Sequence, residues 1–487
     1  MISNYVKHCS HCLLLLGLIL VFELSANSAR NANPDINPWV TYGITWTIIL
    51  YFFKAILFVP VPQAICNFAG LVFYNAFPKK VSFKGSKTIA PFICFRVVTR
   101  GDYPELVHLN VKRNMKTCLD TGLENFCIEV VSDKAIGLQK QLKLREVVVP
   151  NSYRTKSGAM YKARALQYCL EDDVSVLSDD DWVVHLDEET LLTNDCIQGI
   201  LNFVSDGKHY FGQGLVTYAN EPVVNWVTTL ADSARVADDL GKLRLTLKMF
   251  HKPLFSWKGS FVVAKFAAEK RVSYDNGVNG SIAEDCYFAL KAFNEGYTFN
   301  FIEGEMCEKS PFSIWDFLRQ RKRWYQGIYL VVHSDKLPWS KKFFVAVLLY
   351  NFFFTPLYTC NMILSSFYPI PYPPIIDFVS ALTAAVNIYM FIFGAVKSLT
   401  LSKVSMLQLL LCVFGLAIVI PVNMFIENIA AVWSVVGKKH QFEIVDKKIQ
   451  SVAGESNKEN NRFSLATKNF VSVVLQGVKS VFKKNLD

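Results

Sequence analysis

The chain has 487 residues, of which 52% are apolar and only 19% charged, with 38 Phe and 20 Tyr. That length exceeds one ordinary domain, and that composition excludes a fully solvated protein; it points to a membrane protein whose charges are gathered in one soluble part. The net charge of +10 fits membrane-facing loops, which collect Lys and Arg beside anionic lipid, and no nucleic acid is expected, because no basic module with interleaved aromatics is visible.

Residues 1–78 read as N-terminal membrane segments. Cys12 to Leu24 is a short apolar run, followed by small polar residues up to Arg30; it is either a cleaved signal peptide or a short first span. The preceding Lys7-His8-Cys9-Ser10-His11-Cys12 mimics a metal tract but lacks a second half at ligand spacing, which argues against zinc. Trp39 to Pro60 is long enough to cross a bilayer of ~30 Å at about 1.5 Å per residue. Lys54 inside it must snorkel or face protein. Lys79, Lys80, Lys84 and Lys87 come next, against Arg30 alone in the loop before, so the positive-inside rule puts the chain after Lys79 in the cytosol. The 12 cysteines lie singly, many within apolar runs, and read as reduced, buried thiols.

Residues 79–312 read as a soluble α/β domain. Pro91–Val98, Phe126–Val131, Glu146–Val149 and Trp182–Leu186 are short apolar strands, with helices over Leu106–Gly122 and Ala159–Leu170. Such alternation predicts βαβ units and a mainly parallel sheet, with ligands at the carboxyl ends of its strands. Asp133 and the cluster Asp187-Glu188-Glu189 both fall just past strand ends. Residues 313–342 form an interfacial segment, 343–434 C-terminal membrane segments near 343–368, 376–396 and 405–434, and 435–487 a polar, basic tail. The last apolar segment carries Pro421, Asn423, Glu427 and Asn428 and reads as broken or re-entrant. In the tail, Phe470–Phe482 has the pattern of a basic amphipathic helix lying on the membrane.

Three clusters carry chemistry. If the chain stays extended, Asp187 and Glu189 share a face and can hold a divalent ion, Mn²⁺ or Mg²⁺, against a diphosphate; a solvated acidic loop has the same composition. Glu284-Asp285 opens an apolar-periodic helix. A carboxylate there can serve as general base, although an acid in a first turn also answers the helix dipole. Gln320-Arg321-Lys322-Arg323-Trp324 offers guanidinium groups for a diphosphate and a flat face for a sugar; a basic juxtamembrane belt explains its charge but not its order. Trp257, in Phe255-Ser256-Trp257-Lys258-Gly259-Ser260, lines an acceptor groove or packs in the core. Asn279-Gly280-Ser281 is a glycosylation sequon but reads as a turn.

In these motifs the chain resembles the inverting glycosyltransferases of family 2, with a GT-A fold flanked by transmembrane α-helices. Gln320-Arg321-Lys322-Arg323-Trp324 matches that family's Gln-x-x-Arg-Trp, Glu284-Asp285 its Glu-Asp pair, and Asp187-Glu188-Glu189 its Asp-x-Asp, with Glu in the last place. The resemblance implies donor contacts at Thr99, Asp133, Lys162, Arg164, Asp187, Gln320, Arg321 and Arg323. It also implies a metal on Asp187 and Glu189, a base at Asp285 beside Glu284, and an acceptor bordered by Trp324 and Trp257. Within the family the whole chain looks like the egghead-type β-1,4-mannosyltransferases. That implies transfer of mannose from GDP-mannose to glucosylceramide by a multi-pass protein of the endoplasmic reticulum or Golgi, its catalytic domain facing the cytosol. Rival readings are a ceramide glucosyltransferase using UDP-glucose, a processive polysaccharide synthase, and a membrane scaffold or transporter.

Overall fold

Long apolar runs at both ends of the chain form helices, and the alternating middle forms a sheet. In the computed structural model, the residues described are 3–31, 36–78, 80–83, 85, 90–219, 223–399 and 404–437. Lys79, Lys84 and Lys87, the basic tail residues and the Phe470–Phe482 pattern lie outside them.

The N-terminal helices are α1 (Asn4–Asn31), α2 (Pro38–Thr41), α3 (Gly43–Ala55) and α4 (Val61–Phe73). The short run expected at Cys12–Leu24 is thus part of a much longer helix. Lys54 faces protein: it is buried and donates to Ser365 at 2.8 Å. His8 and His11 on α1 meet the last turn of α4, contacting the carbonyls of Val72 (3.1 Å) and Leu71 (3.0 Å). With Cys12 they form a metal-like cluster within 4.8 Å. Their nitrogens, however, are spent on carbonyls that α4 leaves unpaired, on the Ala76 N–H and on the Tyr389 hydroxyl.

The middle runs β1 (Ile93–Thr99), α5 (Pro104–Asp120), β2 (Phe126–Ser132), β3 (Leu144–Val148), α6 (Tyr161–Tyr168), β4 (Trp182–Asp187), α7 (Asn194–Asp206), β5 (Phe211–Tyr218), α8 (Trp226–Asp238), β6 (Val262–Lys265), α9 (Phe266–Val272), α10 (Glu284–Asn294) and β7 (Phe299–Glu308). The strands make one seven-stranded sheet in the order β3-β2-β1-β4-β6-β5-β7. All neighbours pair parallel except β6, which is antiparallel to both β4 and β5. Central strands covered on both faces explain the near-continuous apolar runs. One layer breaks that pattern. Arg145, Glu129, Arg96 and His185 stand side by side on β3, β2, β1 and β4, with Glu129 between the two arginines (2.6 Å to Arg96, 2.8 Å to Arg145) and His185 2.7 Å from Glu269 of α9. Opposite charges thus face one another within this layer, Glu129 between its two arginines and Glu269 against His185.

Beyond the sheet come α11 (Ile314–Val332), α12 (Trp339–Phe353), α13 (Thr355–Phe367), α14 (Pro374–Ser398) and α15 (Met406–Val436). Among the described residues, four helical stretches are long and apolar enough to cross a membrane: Asn4–Ser28, Gly43–Phe73, Pro374–Ser398 and Met406–Val436. α12 and α13 make a fifth candidate, bent by 50° where Pro356 cannot donate to the preceding turn. The expected break in the last segment is absent: α15 runs unbroken through Pro421.

The sheet domain is fastened to the N-terminal apolar helices through α8, which continues as two π-helical turns, Asp239–Leu243 and Thr246–Phe250. Asn67 of α4 donates to Asp238 (3.0 Å) and accepts from the Lys242 N–H (2.8 Å). Buried Arg244 reaches the carbonyls of Tyr74 (3.2 Å) and Asn75 (3.1 Å), where a cation complements a helix C-terminus.

Candidate active site

Parallel pairing of β2, β1 and β4 brings three strand ends together, with Thr99 opposite Ser132 and Val98 opposite Asp187. Thr99, Asp133 and Asp187 therefore meet along one edge, as their positions in sequence predict. Thr99 is buried; its hydroxyl donates to Glu188 at 2.5 Å and accepts from the Gly101 N–H at 3.0 Å. Asp133 receives Arg164 at 2.5 Å, both side chains partly exposed.

Asp187 ends β4, and the chain does not stay extended beyond it: Glu188 and Glu189 occupy a turn closed by the Thr190 N–H on the Asp187 carbonyl (3.0 Å). The expectation that Asp187 and Glu189 share a strand face is thereby corrected. Buried Thr190 shapes this turn. Its Oγ1 accepts from the Asp187 N–H (3.2 Å), lies 2.8 Å from the Ser260 hydroxyl and donates to Glu308 at 2.7 Å. Nothing in the motif marks Thr190, because Ser260 and Glu308 come from two distant segments.

Lys162 is the hub. Its Nζ lies 2.5 Å from Asp187 Oδ1, 3.1 Å from the Gly259 carbonyl and 3.9 Å from Glu284 Oε1. Burial lowers its proton affinity, but Asp187, Glu284 and Asp285 outweigh that and raise it. Glu284 and Asp285 form the first turn of α10, where Asp285 Oδ1 accepts the Cys286 N–H at 2.7 Å. Burial, and then the neighbouring Asp285, push Glu284 up to about 7. Burial and Asp187 raise Asp285, against its backbone hydrogen bond, Lys162 and Arg323.

The helix α11 carries the Gln-Arg-Lys-Arg-Trp run past this centre. Gly327 permits the crossing, since a Cβ there would lie 2.9 Å from the Ala283 side chain at the start of α10. Arg323, one turn earlier, is half-buried and acts electrostatically on Asp285. Arg321 is a correction. It is only 5% exposed, bonds to Asp232 of α8 at 2.6 Å and to Glu427 of α15 at 3.1 Å, and lies 4.1 Å from the centre of the Phe317 ring. Its guanidinium is committed to helix packing, not presented to a diphosphate. Trp324 is half-buried beneath two guanidinium groups, Arg321 at 4.4 Å and Arg235 at 4.6 Å from its ring centre. Gln320 is half-buried and its Oε1 has no hydrogen-bond partner among the described residues. Trp257 is also corrected: it is 6% exposed, edge-on to Phe299 at 4.9 Å, within the core.

The carboxylate oxygens of Asp187 and Glu189 are hard donors of the kind Mg²⁺ and Mn²⁺ prefer. Asp187 keeps 37% of its side-chain surface exposed, so its carboxylate fits a divalent ion at the cleft edge, with Glu189 in the turn that follows rather than on the same strand face.

Comparison with known proteins gives this chain a family. The model of the family "Glycosyl transferase family group 2" matches residues 182–423. The chain is 57% identical over 451 residues to beta-1,4-mannosyltransferase egh of Drosophila melanogaster, covering 92% of this chain and 99% of that protein. It is 52% identical over 452 residues to beta-1,4-mannosyltransferase bre-3 of Caenorhabditis elegans, with the same coverage of both. Among solved structures, Staphylococcus aureus TarS 1–349 is similar at 13% identity and a TM-score of 0.33 over 75% of this chain and 98% of that one, a likeness too slight to carry argument. The mixed sheet is a GT-A domain joined to helices of membrane-spanning length, and a scaffold or transporter reading is set aside. The chain belongs to the β-1,4-mannosyltransferase family and is a hexosyltransferase.

Proposed function

We propose that the protein transfers mannose from GDP-mannose to the glucose of glucosylceramide, forming a β-1,4 linkage with inversion. The observation that supports this reading most is the convergence of Asp187, Lys162, Glu284 and Asp285, far apart in sequence, on one cleft edge beneath helices of membrane-spanning length. Asp285 takes the proton of the acceptor hydroxyl, whose oxygen bonds to the anomeric carbon as the bond to the diphosphate breaks and GDP departs. Thr99, Asp133 and Arg164 border the nucleotide, Gln320 and Arg323 the diphosphate, and Arg323 offsets charge growing on the leaving group. A divalent ion held by Asp187 and Glu189 supplies further charge neutralisation when bound. Lys162 keeps the two carboxylate clusters from repelling one another, and Trp324 borders the acceptor where a lipid-linked sugar reaches up from the bilayer.

The domain is read as facing the cytosol of endoplasmic reticulum or Golgi membranes. Purified protein given labelled GDP-mannose and glucosylceramide should form mannosylated lipid. Asp285→Asn should lose transfer by ~10²–10⁴-fold while still binding GDP. Product from UDP-sugars instead, or an active Asp285→Asn variant, would overturn the donor or the base, respectively.

A further inference from the structure

Two pairs of residues interlock where α8 meets α11. Asp232 and Arg235 lie three apart on α8, Arg321 and Trp324 three apart on α11, so each pair shares a helix face. Arg321 Nη2 lies 2.6 Å and Arg235 Nη1 3.4 Å from one atom, Oδ1 of fully buried Asp232. Burial would raise that carboxyl, but Arg321 and Arg235 outweigh it and hold it below its ordinary value. Both guanidinium groups also lie against the Trp324 ring, 4.4 and 4.6 Å from its centre. Among the described residues the Trp324 side chain makes no hydrogen bond, so these cations are what place it. The two arginines differ in their remaining contacts. Arg321 is buried and holds Glu427 of α15. Half-buried Arg235 has instead a second ring, that of Tyr218, centred 5.0 Å away at the end of β5. Tyr218 stands opposite Glu308 of β7, which accepts from the Thr190 hydroxyl, and Thr190 in turn holds the Asp187 N–H. Arg235 thus joins the strand ends of the site to the tryptophan of α11.

We infer that Arg235 is a positioning residue for the acceptor: anchored on Asp232 and lodged against Tyr218, it fixes the Trp324 ring that borders the acceptor sugar. A guanidinium suits this task, because its N–H edge reaches a carboxylate while its flat face lies on aromatic rings. A lysine ammonium is a point charge and cannot serve both at once. Arg235 acts through the indole and takes no part in the bond-making step. Nothing in the Gln-Arg-Lys-Arg-Trp run announces it, since it comes from a different helix. The inference rests on the reading of Trp324 as the acceptor border.

The test is the full-length protein carrying Arg235→Gln. Asp232 keeps Arg321, so the thermal unfolding midpoint should stay at the wild-type value. At saturating GDP-mannose, KM for glucosylceramide should rise ~10-fold, the scale of one partly desolvated cation–π contact, while KM for GDP-mannose is unchanged. Arg235→Lys, which keeps the charge but not the flat fork, should give a smaller rise. Because Arg235 acts through the ring, adding Arg235→Gln to Trp324→Leu should raise the acceptor KM no further than Trp324→Leu alone. Additive losses in that double variant, or a parallel rise in the donor KM, overturn the inference. If Arg235→Gln lowers the unfolding midpoint, the same comparisons made with Arg235→Lys decide. A wild-type acceptor KM in Trp324→Leu refutes the acceptor reading of Trp324 and the inference with it. An impaired Trp324→Leu beside an unimpaired Arg235→Gln refutes the role of Arg235 alone.

Discussion

Asp285 and Glu284 share a buried helix start with a single strong counter-charge, Lys162, and the cost of keeping both ionised sets the acid limb of activity. Burial raises both carboxyls, Glu284 to about 7, so the pair takes up its first proton as pH falls through about 7 and further acidification removes the base. The pair titrates as a unit. kcat/KM should drop about tenfold per pH unit on that limb, and Glu284→Gln, by removing the like charge, should move the limb to lower pH; a limb unmoved in that variant would separate the two groups. The same shift has a stability consequence. A carboxyl raised in the folded state favours the protonated protein, so this contribution is complete below the ordinary carboxylate range and fades as pH rises through about 7. Neutral pH therefore activates the site while weakening its local stability.

At the scale of elements, α11 serves two masters, and two arginines on it divide the work. Arg321 binds Asp232 and Glu427, Tyr325 also donates to Glu427, and Lys322 lies against the Trp433 ring at 4.5 Å; this face grips α8 and α15. Arg323 turns to the cleft. Arg321→Ala leaves Asp232, fully buried, without its closest cation and should destabilise the protein by about 3–5 kcal/mol, seen as a lowered unfolding midpoint. Arg323→Ala should leave that midpoint unchanged and weaken GDP binding. Equal thermal losses in both variants would refute the division.

The elements also show what periodicity can and cannot reveal. Strands β1 to β4 and the helices over Pro104–Asp120 and Tyr161–Tyr168 are legible because apolar runs and helical spacing are local signals. β5, interrupted by Gly212 and Gly214, the four-residue β6, and β7, in which Asn300, Glu303 and Glu305 alternate with apolar residues, carry no comparable run. In the site, the order of acidic and cationic motifs was readable, and so was the meeting of Thr99, Asp133 and Asp187 once a parallel sheet is granted. The bonds of Arg321, the core position of Trp257, the hub at Lys162 and the turn at Thr190 were not, since each depends on partners brought close by the fold alone.

For the whole molecule, orientation is testable at one exposed atom. Asn279 heads a glycosylation sequon and is exposed, in a short 3₁₀ turn beside α10, so burial does not protect it. If the sheet domain faces the cytosol, protein from cells should carry no glycan there, and its mass should be unchanged by glycosidase; a glycan at Asn279 would reverse the orientation. All twelve cysteines are free thiols.

The linkage through Asn67, Arg244 and the π-helical turns makes α4 a mechanical part of the enzyme. Helix α4 grips the segment that holds Asp239; Asp239 grips Lys258; and Lys258 precedes Gly259, whose carbonyl accepts from Lys162 in the site. Displacing α4 therefore pulls on a lever whose far end is the candidate site, and a fragment cut free of α4 loses that lever.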